Sequence, residues 1–378
     1  MLHRVVWIIV FLGTVAQMGF LSGCGAHSAN NENLTATPQP QVQDSIISHE
    51  ILNKAAMRLV WQNAVALKQA EQIERLIPYG DTIYVLTDQN YLFALDRVRG
   101  TFRFGITLGP KHIPVFGPEF YEKELLVISG AKLLEIDADF GTIKRTTDLP
   151  FRASCAAVRN VMYIYAGGTD KRVHALNAET AVPSFQAMAD DGSAITSVTT
   201  LANTVIFTTD TGYVVNILPT EPVLSWQLKA VRGIPVPVAQ DKNWVIVSSD
   251  DTNVYKLSRV TGQLMWKFHS GARLVDQAAL TENYVYQYAR QKGLYIIDNK
   301  SGKQIWLEPT GRAILTEIDD IAYIITWNNR IIIIDNKNVK KLGEVDFSGI
   351  RRYVTNSQES RVYVADQLGR VACIEIQQ

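Results

Sequence analysis

The sequence predicts an all-β fold, an eight-bladed β-propeller with four antiparallel strands per blade. Two observations carry that prediction, and a third closes the ring. First, paired β-like runs separated by a polar turn recur along the chain: IYVLTDQNYLFALD, LLVISGAKLLEID, MYIYAGGTDKRVHALN, VIFTTDTGYVVNI, VIVSSDDTNVYKLS, VYQYARQKGLYIID, AYIITWNNRIIIID and VYVADQLGRVACIE. Second, the spacing is regular. The polar residues ending these pairs are Asp96, Asp137, Asn177, Asn216, Ser258, Asp298, Asp335 and Glu375, at intervals of 41, 40, 39, 42, 40, 37 and 40 residues. A period near forty with strand chemistry is that of propeller blades, whereas solenoid repeats are usually shorter or helical.

Each unit holds more than a hairpin. Turns such as RVRG, RVTG and NKSG follow the polar residue, and an extended piece with an aromatic follows the turn. Phe104, Trp266 and Trp306 each lie four residues after a glycine, Gly100, Gly262 and Gly302, and Trp226 holds the same place in VLSWQL. A further strand precedes each hairpin, as in VPVAQ and ILTEI. Runs of β-branched and aromatic residues bounded by Gly, Asp and Asn therefore give four strands per unit.

The third observation concerns the ends. The last unit stops at Gln378, after its third strand. Arg58 to Leu67, RLVWQNAVAL, has the fourth-strand pattern with Trp61 in the aromatic place. It is expected to complete the eighth blade from the N-terminal side, which removes the sheet edges that an open ring would expose. The propeller is assigned to residues 57–378.

Upstream, His3 and Arg4 precede an apolar run from Val5 to Phe20, interrupted by Gly13, Thr14 and Gln17. This is a charged n-region and an h-region too short for a comfortable membrane span. It ends in Leu21-Ser22-Gly23-Cys24, which resembles the lipobox of bacterial lipoproteins. The resemblance implies cleavage after residue 23 and acylation of Cys24, so residues 1–23 are assigned as a lipoprotein signal peptide. Gly25 follows the cysteine, and by resemblance to the bacterial sorting rule this implies an outer-membrane lipid anchor facing the periplasm. Residues 24–43 (NNENLTATPQPQVQ and its flanks) lack apolar clusters and read as a flexible tether. Residues 44–56 are expected to hold a short helix, with Ile47, Ile51, Leu52 and Ala55 at helical spacing and Asp44 or Ser45 as its cap.

The pattern D-x-x-[ST]-G-x-x-x-W, clearest in IDNKSGKQIW and LSRVTGQLMW, resembles the repeat of propellers related to the pyrroloquinoline-quinone (PQQ) dehydrogenases, and in that family the tryptophan docks between blades. By that resemblance Trp61, Phe104, Trp226, Trp266 and Trp306 are inter-blade aromatics. FGTIKR, with Arg145 in the aromatic place, and TAVPSF depart from it. With the lipobox and tether, the chain resembles the lipoproteins of outer-membrane protein assembly. The resemblance implies a non-catalytic, lipid-anchored periplasmic scaffold that binds cell-envelope proteins. The other readings are a quinone-binding oxidoreductase holding PQQ and a scaffold or sensor of another envelope complex.

Chemistry is sparse. Lys+Arg and Asp+Glu both number 37, with 47% apolar and 20% charged residues, so nothing in the bulk charge favours nucleic acid. Six scattered histidines form no metal-ligand spacing, and neither G-x-S-x-G nor a P-loop occurs. No catalytic residue, metal site or cofactor is therefore assigned. The once-per-blade Asp and Asn residues read as turn chemistry. Cys155, expected in the first strand of blade 3, and Cys373, in the third strand of blade 8, read as buried small hydrophobes. One pattern points to binding. Arg152, Arg232, Arg273, Arg312, Arg351 and Arg352 lie in the inter-blade connections, with Lys111 and His112 in another. They are expected to begin the innermost strands and ring the mouth of the central channel, where focused positive potential attracts acidic segments. The competing expectation is that they pair with hairpin aspartates on the same face: Asp88, Asp170, Asp210, Asp250, Asp251 and Asp366.

Overall fold

The computed structural model describes residues 45–202, 204–355 and 359–377. Cys24, the signal-peptide segment and the tether lie outside the described residues. The chain divides into two units, Met1–Asp44 and Ser45–Gln378.

The second unit is eight sheets of four antiparallel strands. Blade 1 runs from Ile73–Tyr79 to Phe102–Thr107, and blade 2 from Val115–Tyr121 to Ile143–Asp148. Blades 3 to 7 follow in chain order and end with Lys340–Asp346. Blade 8 takes three strands from the C-terminus (Arg352–Tyr353, Arg361–Ala365, Arg370–Ile376) and its outermost from the N-terminus, Met57–Ala64. Met57 pairs with Ile376 and Trp61 with Cys373. First strands of neighbouring blades touch, as in blades 1 and 8 and blades 5 and 6, so they line the ring's centre. Four of the eight innermost strands are short: Val158–Arg159, Ala239–Gln240, Ala279–Leu280 and Arg352–Tyr353 have two residues each. Cys155 therefore precedes the first strand of blade 3 instead of lying in it.

The core is partitioned by the pleat. Successive side chains of a strand face opposite sides of the sheet, so the second strand of blade 1 sends Ile83 and Val85 toward blade 8 and Tyr84 and Leu86 toward blade 2. Eight clusters result, one for each pair of neighbouring blades. Strands buried on both faces must be apolar throughout, and Ile331 to Ile334 are all buried.

An outer-strand aromatic clasps each of several interfaces. Trp61 lies over Gly100, Trp226 over Gly262 and Trp266 over Gly302, each glycine in the turn of the next blade. The indole N–H groups donate to the carbonyls of Arg97, Arg259 and Asn299 at 3.0, 2.9 and 2.9 Å. Glycine is required twice at such a turn. Gly302 has φ +71°, and a Cβ there would stand 2.7 Å from the Trp266 ring. Phe104 lies in the same way over Gly141. The turn itself is held by the once-per-blade acid or amide: Asp96 accepts from Val98 and Arg99, and Asn177 from Glu179 and Thr180.

Four interfaces depart from this clasp. Between blades 3 and 4, Phe185 holds the aromatic place but the facing turn after Ile217 has no glycine. In blade 2, Arg145 stands in the aromatic place. Its guanidinium donates to the Ala178 carbonyl at 2.6 Å and to that of Glu179, in the blade 3 turn, while gripping Glu135 at 2.5 and 2.7 Å. Glu135 is buried and is shared with Arg159, which also pairs with Glu124. In blade 6, Trp306 is only half-buried and its indole N–H finds no partner, and the facing turn carries Val339 at φ +52° where others carry glycine. In blade 7 the place falls on Gly343. There helix α1, His49–Lys54, and the residues flanking it fill in: Leu52 of the helix and Ile46, Ile47 and Ala55 beside it pack with Val345 and Phe347 of blade 7 and Ile376 of blade 8. The helix is shorter than the 44–56 expectation and is capped by Ser48, whose hydroxyl accepts from the Ile51 N–H, instead of by Asp44 or Ser45.

Denaturant unfolding should rank these clasps. Trp266→Ala is expected to cost about 3–5 kcal/mol and Gly302→Ala roughly 1–3 kcal/mol through overpacking, with Trp306→Ala costing less than Trp266→Ala. Equal losses at Trp266 and Trp306 would contradict the ranking. Glu135→Ala leaves two guanidinium groups without their buried partner and is expected to cost about 3–5 kcal/mol. A loss within about 0.5 kcal/mol, the range of ordinary surface changes, would show that the ionic clasp carries no weight.

Candidate partner-binding face

In a four-stranded antiparallel blade, the central hairpin and the connection to the next blade emerge at the same end. Hairpin and connection are laced by backbone bonds: Thr169 N–H to the Arg152 carbonyl at 2.8 Å, Asp250 to Gly233 at 2.9 Å and Arg290 to Arg273 at 3.2 Å. Hairpin aspartates add to the lacing. Asp88 accepts from the Gln72 N–H, Asp210 from that of Ala194 and Asp251 from that of Val231, at 2.9 to 3.1 Å. These carboxylates are engaged by backbone donors, so most of the expected rim ion pairs do not form.

The arginines consequently divide. Arg273 pairs with Asp250, at 2.5 and 3.2 Å, and stays largely exposed. Arg312 forks onto Asp276, at 2.8 and 3.1 Å, with its guanidinium 4.3 Å from the centre of the Tyr288 ring. Arg352 donates to the Glu74 carbonyl at 2.8 Å, across the closure between blades 8 and 1. Arg152, Arg232 and Arg351 are exposed and have no carboxylate partner among the described residues. Lys111 and His112 are exposed in the blade 1 to blade 2 connection.

Their positions differ from the expected ones. Only Arg312, in Gly311–Ile318, and Arg352 lie in innermost strands. Arg351 immediately precedes one, and Arg152, Arg232 and Arg273 stand six or seven residues before theirs. The reason is the shortness of those strands: the connection runs over the face before the backbone turns into the channel. Arg152, Arg232 and Arg273 therefore sit on the face itself, and Arg312 lines a cavity inside the ring.

That cavity, about 410 Å³, is bounded by Asp276, Gln277, Tyr288, Arg312 and Tyr353 among others. A second, about 400 Å³, is bounded by Glu119, Cys155, Arg159, Ser197, Gln240 and Gln277. Burial pushes the Glu119 carboxyl up, with Arg75 opposing the shift, and pushes the Cys155 thiol up. Burial also raises Cys373, to about 11. Thiols held protonated are poor nucleophiles, and both cysteines are free and buried. His174 is packed flat on Phe151, 3.7 Å between ring centres, and bonded to Asp170 at 3.0 Å, which is a structural setting. Among the described residues no cluster of His, Cys, Asp or Glu has metal-ligand geometry. The Glu135 network went unread in the sequence, although a glutamate inside the apolar run LLEID opposite an arginine in the aromatic place was its signal.

Comparison with known proteins bears on the same architecture. No curated protein matches the sequence. Residues 219–378, the end of blade 4, blades 5 to 7 and the three C-terminal strands of blade 8, match the family model described as outer membrane protein assembly factor BamB. The structure of BamB from Moraxella catarrhalis superposes with TM-score 0.66 at 12% identity, covering 84% of this chain and 99% of that one. A computationally designed protein, Ika8, superposes with TM-score 0.62 at 14% identity, covering 81% and 96%. The chain is thus an eight-bladed propeller of the PQQ-like kind, similar to BamB over its C-terminal blades in sequence and over the whole ring in fold.

Proposed function

We propose that this protein is a non-catalytic scaffold of the bacterial cell envelope that supports the assembly of outer-membrane proteins. The observation that carries the reading is the match of residues 219–378 to the BamB family model, joined to an eight-bladed ring of the same fold. In this reading residues 1–23 are a signal peptide, Cys24 carries the lipid, residues 24–43 form the tether, and the propeller faces the periplasm. The connection face is the partner surface. Arg152, Arg232 and Arg273 present guanidinium groups to solvent, and arginine makes charge-assisted, often bidentate bonds to carboxylates. An acidic segment of an envelope protein is the matching ligand. Arg312 is already neutralised by Asp276 within the ring, so it contributes shape more than charge.

Co-purification from solubilised membranes tests the reading. Recovery of an outer-membrane assembly protein supports it, and PQQ-dependent dye reduction by the purified protein overturns it. Arg152→Glu with Arg232→Glu is expected to abolish capture while shifting the melting temperature little, because neither side chain has an ion-pair partner to lose. Arg273→Glu with Arg312→Glu is expected to lower stability as well, since both bridges break. Capture retained in both double variants would remove the arginine face from consideration.

The anchor is tested separately. Cys24→Ala is expected to leave the chain uncleaved and without lipid label. Processing and labelling that match wild type would refute the lipobox reading.

A further inference from the structure

The rim of blades 7 and 8 carries a feature that partner capture does not use. Trp327 is 70% exposed at the tip of the blade 7 hairpin, and Leu368 is 72% exposed at the tip of the blade 8 hairpin. Trp327 is the one exposed tryptophan among the described residues, for the others are buried or half-buried. Most other exposed apolar side chains, such as Phe102, Ile143, Leu224 and Leu264, lie at the start of the outer strands or in the turns just before them and are spread around the circumference. Scattered singly, they need no explanation. Trp327 and Leu368 instead flank one connection, residues 347–351. Phe347 N–H bonds the Asn329 carbonyl in the first hairpin, and Arg351 N–H bonds the Ala365 carbonyl at the base of the second.

Among the described residues, the charges at the two tips are settled except for Arg351. Arg330 is paired with Glu344 and Arg370 with Asp366, both at 2.6 Å. Asp346 accepts from the Ser348 N–H at 2.8 Å. Among the described residues Arg351, which is exposed, donates only to main-chain carbonyls, of Ser348 at 3.1 Å and of Ile350. An aromatic, an aliphatic and an unneutralised cation thus stand together on one edge.

The described chain begins at the same edge. Ile46 N–H bonds Gln62 of the ring-closing strand at 2.7 Å, and the Ile46 carbonyl lies 3.5 Å from where a Cβ on Gly349 would stand, in that connection. The 21 peptide steps from Cys24 to Ser45 span at most about 75 Å extended and about 25 Å as a coil. A lipid on Cys24 therefore holds this edge within reach of the bilayer, at high effective concentration.

The geometry points to the Trp327–Leu368–Arg351 edge as a surface that rests on the lipid headgroups, with Trp327 at interfacial depth and Arg351 on phosphate. It sets which way the connection face looks. Tryptophan favours the membrane–water interface, and an exposed arginine is drawn to anionic lipid. The inference rests on the lipid-anchor reading of Cys24.

The test uses the lipidated full chain reconstituted into vesicles of phosphatidylcholine and phosphatidylglycerol, with spin label at shallow or deep positions of the lipid. Flotation reads the anchor. The difference in emission between wild type and Trp327→Phe reads Trp327 alone. The expected result is flotation of both, with a Trp327 component quenched more by the shallow label than by the deep one. Arg351→Glu should reduce the ratio of bilayer-bound to free edge about fivefold or more, one cationic contact being worth about 1 kcal/mol. Flotation with an unquenched Trp327 overturns this proposal and leaves the anchor standing. Failure to float removes the anchor reading and this proposal with it. A Trp327 component already blue-shifted without vesicles, in protein that elutes as a dimer, assigns the edge to a second copy and overturns the lipid assignment.

Discussion

A ring of sheets stands only if each sheet buries both faces against its neighbours. That constraint governs this molecule. A lone blade would expose apolar side chains on two sides, so no blade can be stable by itself, and the eight core clusters are all shared between neighbours. The ring must also close. Pairing Met57–Ala64 with Arg370–Ile376 gives the eighth blade its fourth strand from the other end of the chain. Opening the ring would then require breaking a whole strand ladder and the Trp61 clasp onto blade 1 at once.

The clasps differ in chemistry while serving one geometric need. Each holds an outer strand against the turn of the next blade, and Trp61, Trp226, Trp266 and Arg145 also supply a donor to that turn's carbonyl. An indole does this with one N–H and a large flat surface. Arg145 does it with a guanidinium that reaches the equivalent carbonyl of Ala178, but its charge must then be balanced, and Glu135 does so at 4% side-chain exposure. Buried charge is costly unless paired, which ties Arg145, Glu135, Arg159 and Glu124 into one unit. Where neither solution is present, at Gly343, the helix before the ring-closing strand takes over the packing.

Function gathers where the fold leaves freedom. The strands are committed to packing, and the lacing of connection to hairpin uses main-chain groups and hairpin aspartates. Side chains of the connections are left to vary, and in this protein four of the connections each present one arginine, Arg152, Arg232, Arg273 or Arg351. Loops on a rigid scaffold are the usual seat of recognition. The edge bearing Trp327 and Leu368 obeys the same rule, since both are hairpin-tip residues whose side chains no blade needs.

The forty-residue period, the strand chemistry and the turn glycines determined the propeller, its blade number and the strand that closes it, because each is a local or periodic property of the chain. The apolar alternation also marked the core, since a strand buried on both faces has to be apolar throughout. Tertiary structure decided the rest. It alone showed that Arg145 reaches Ala178 and Glu135, that Trp306 lacks the carbonyl its counterparts find, and that Ser48 starts the short helix. It also decided which arginines are free. Sequence placed six of them opposite six aspartates on one face, but whether a carboxylate takes a guanidinium or a nearer backbone N–H depends on distances of a few tenths of an ångström between segments tens of residues apart. Asp88, Asp210 and Asp251 took the backbone, and Arg152, Arg232 and Arg351 were left to solvent.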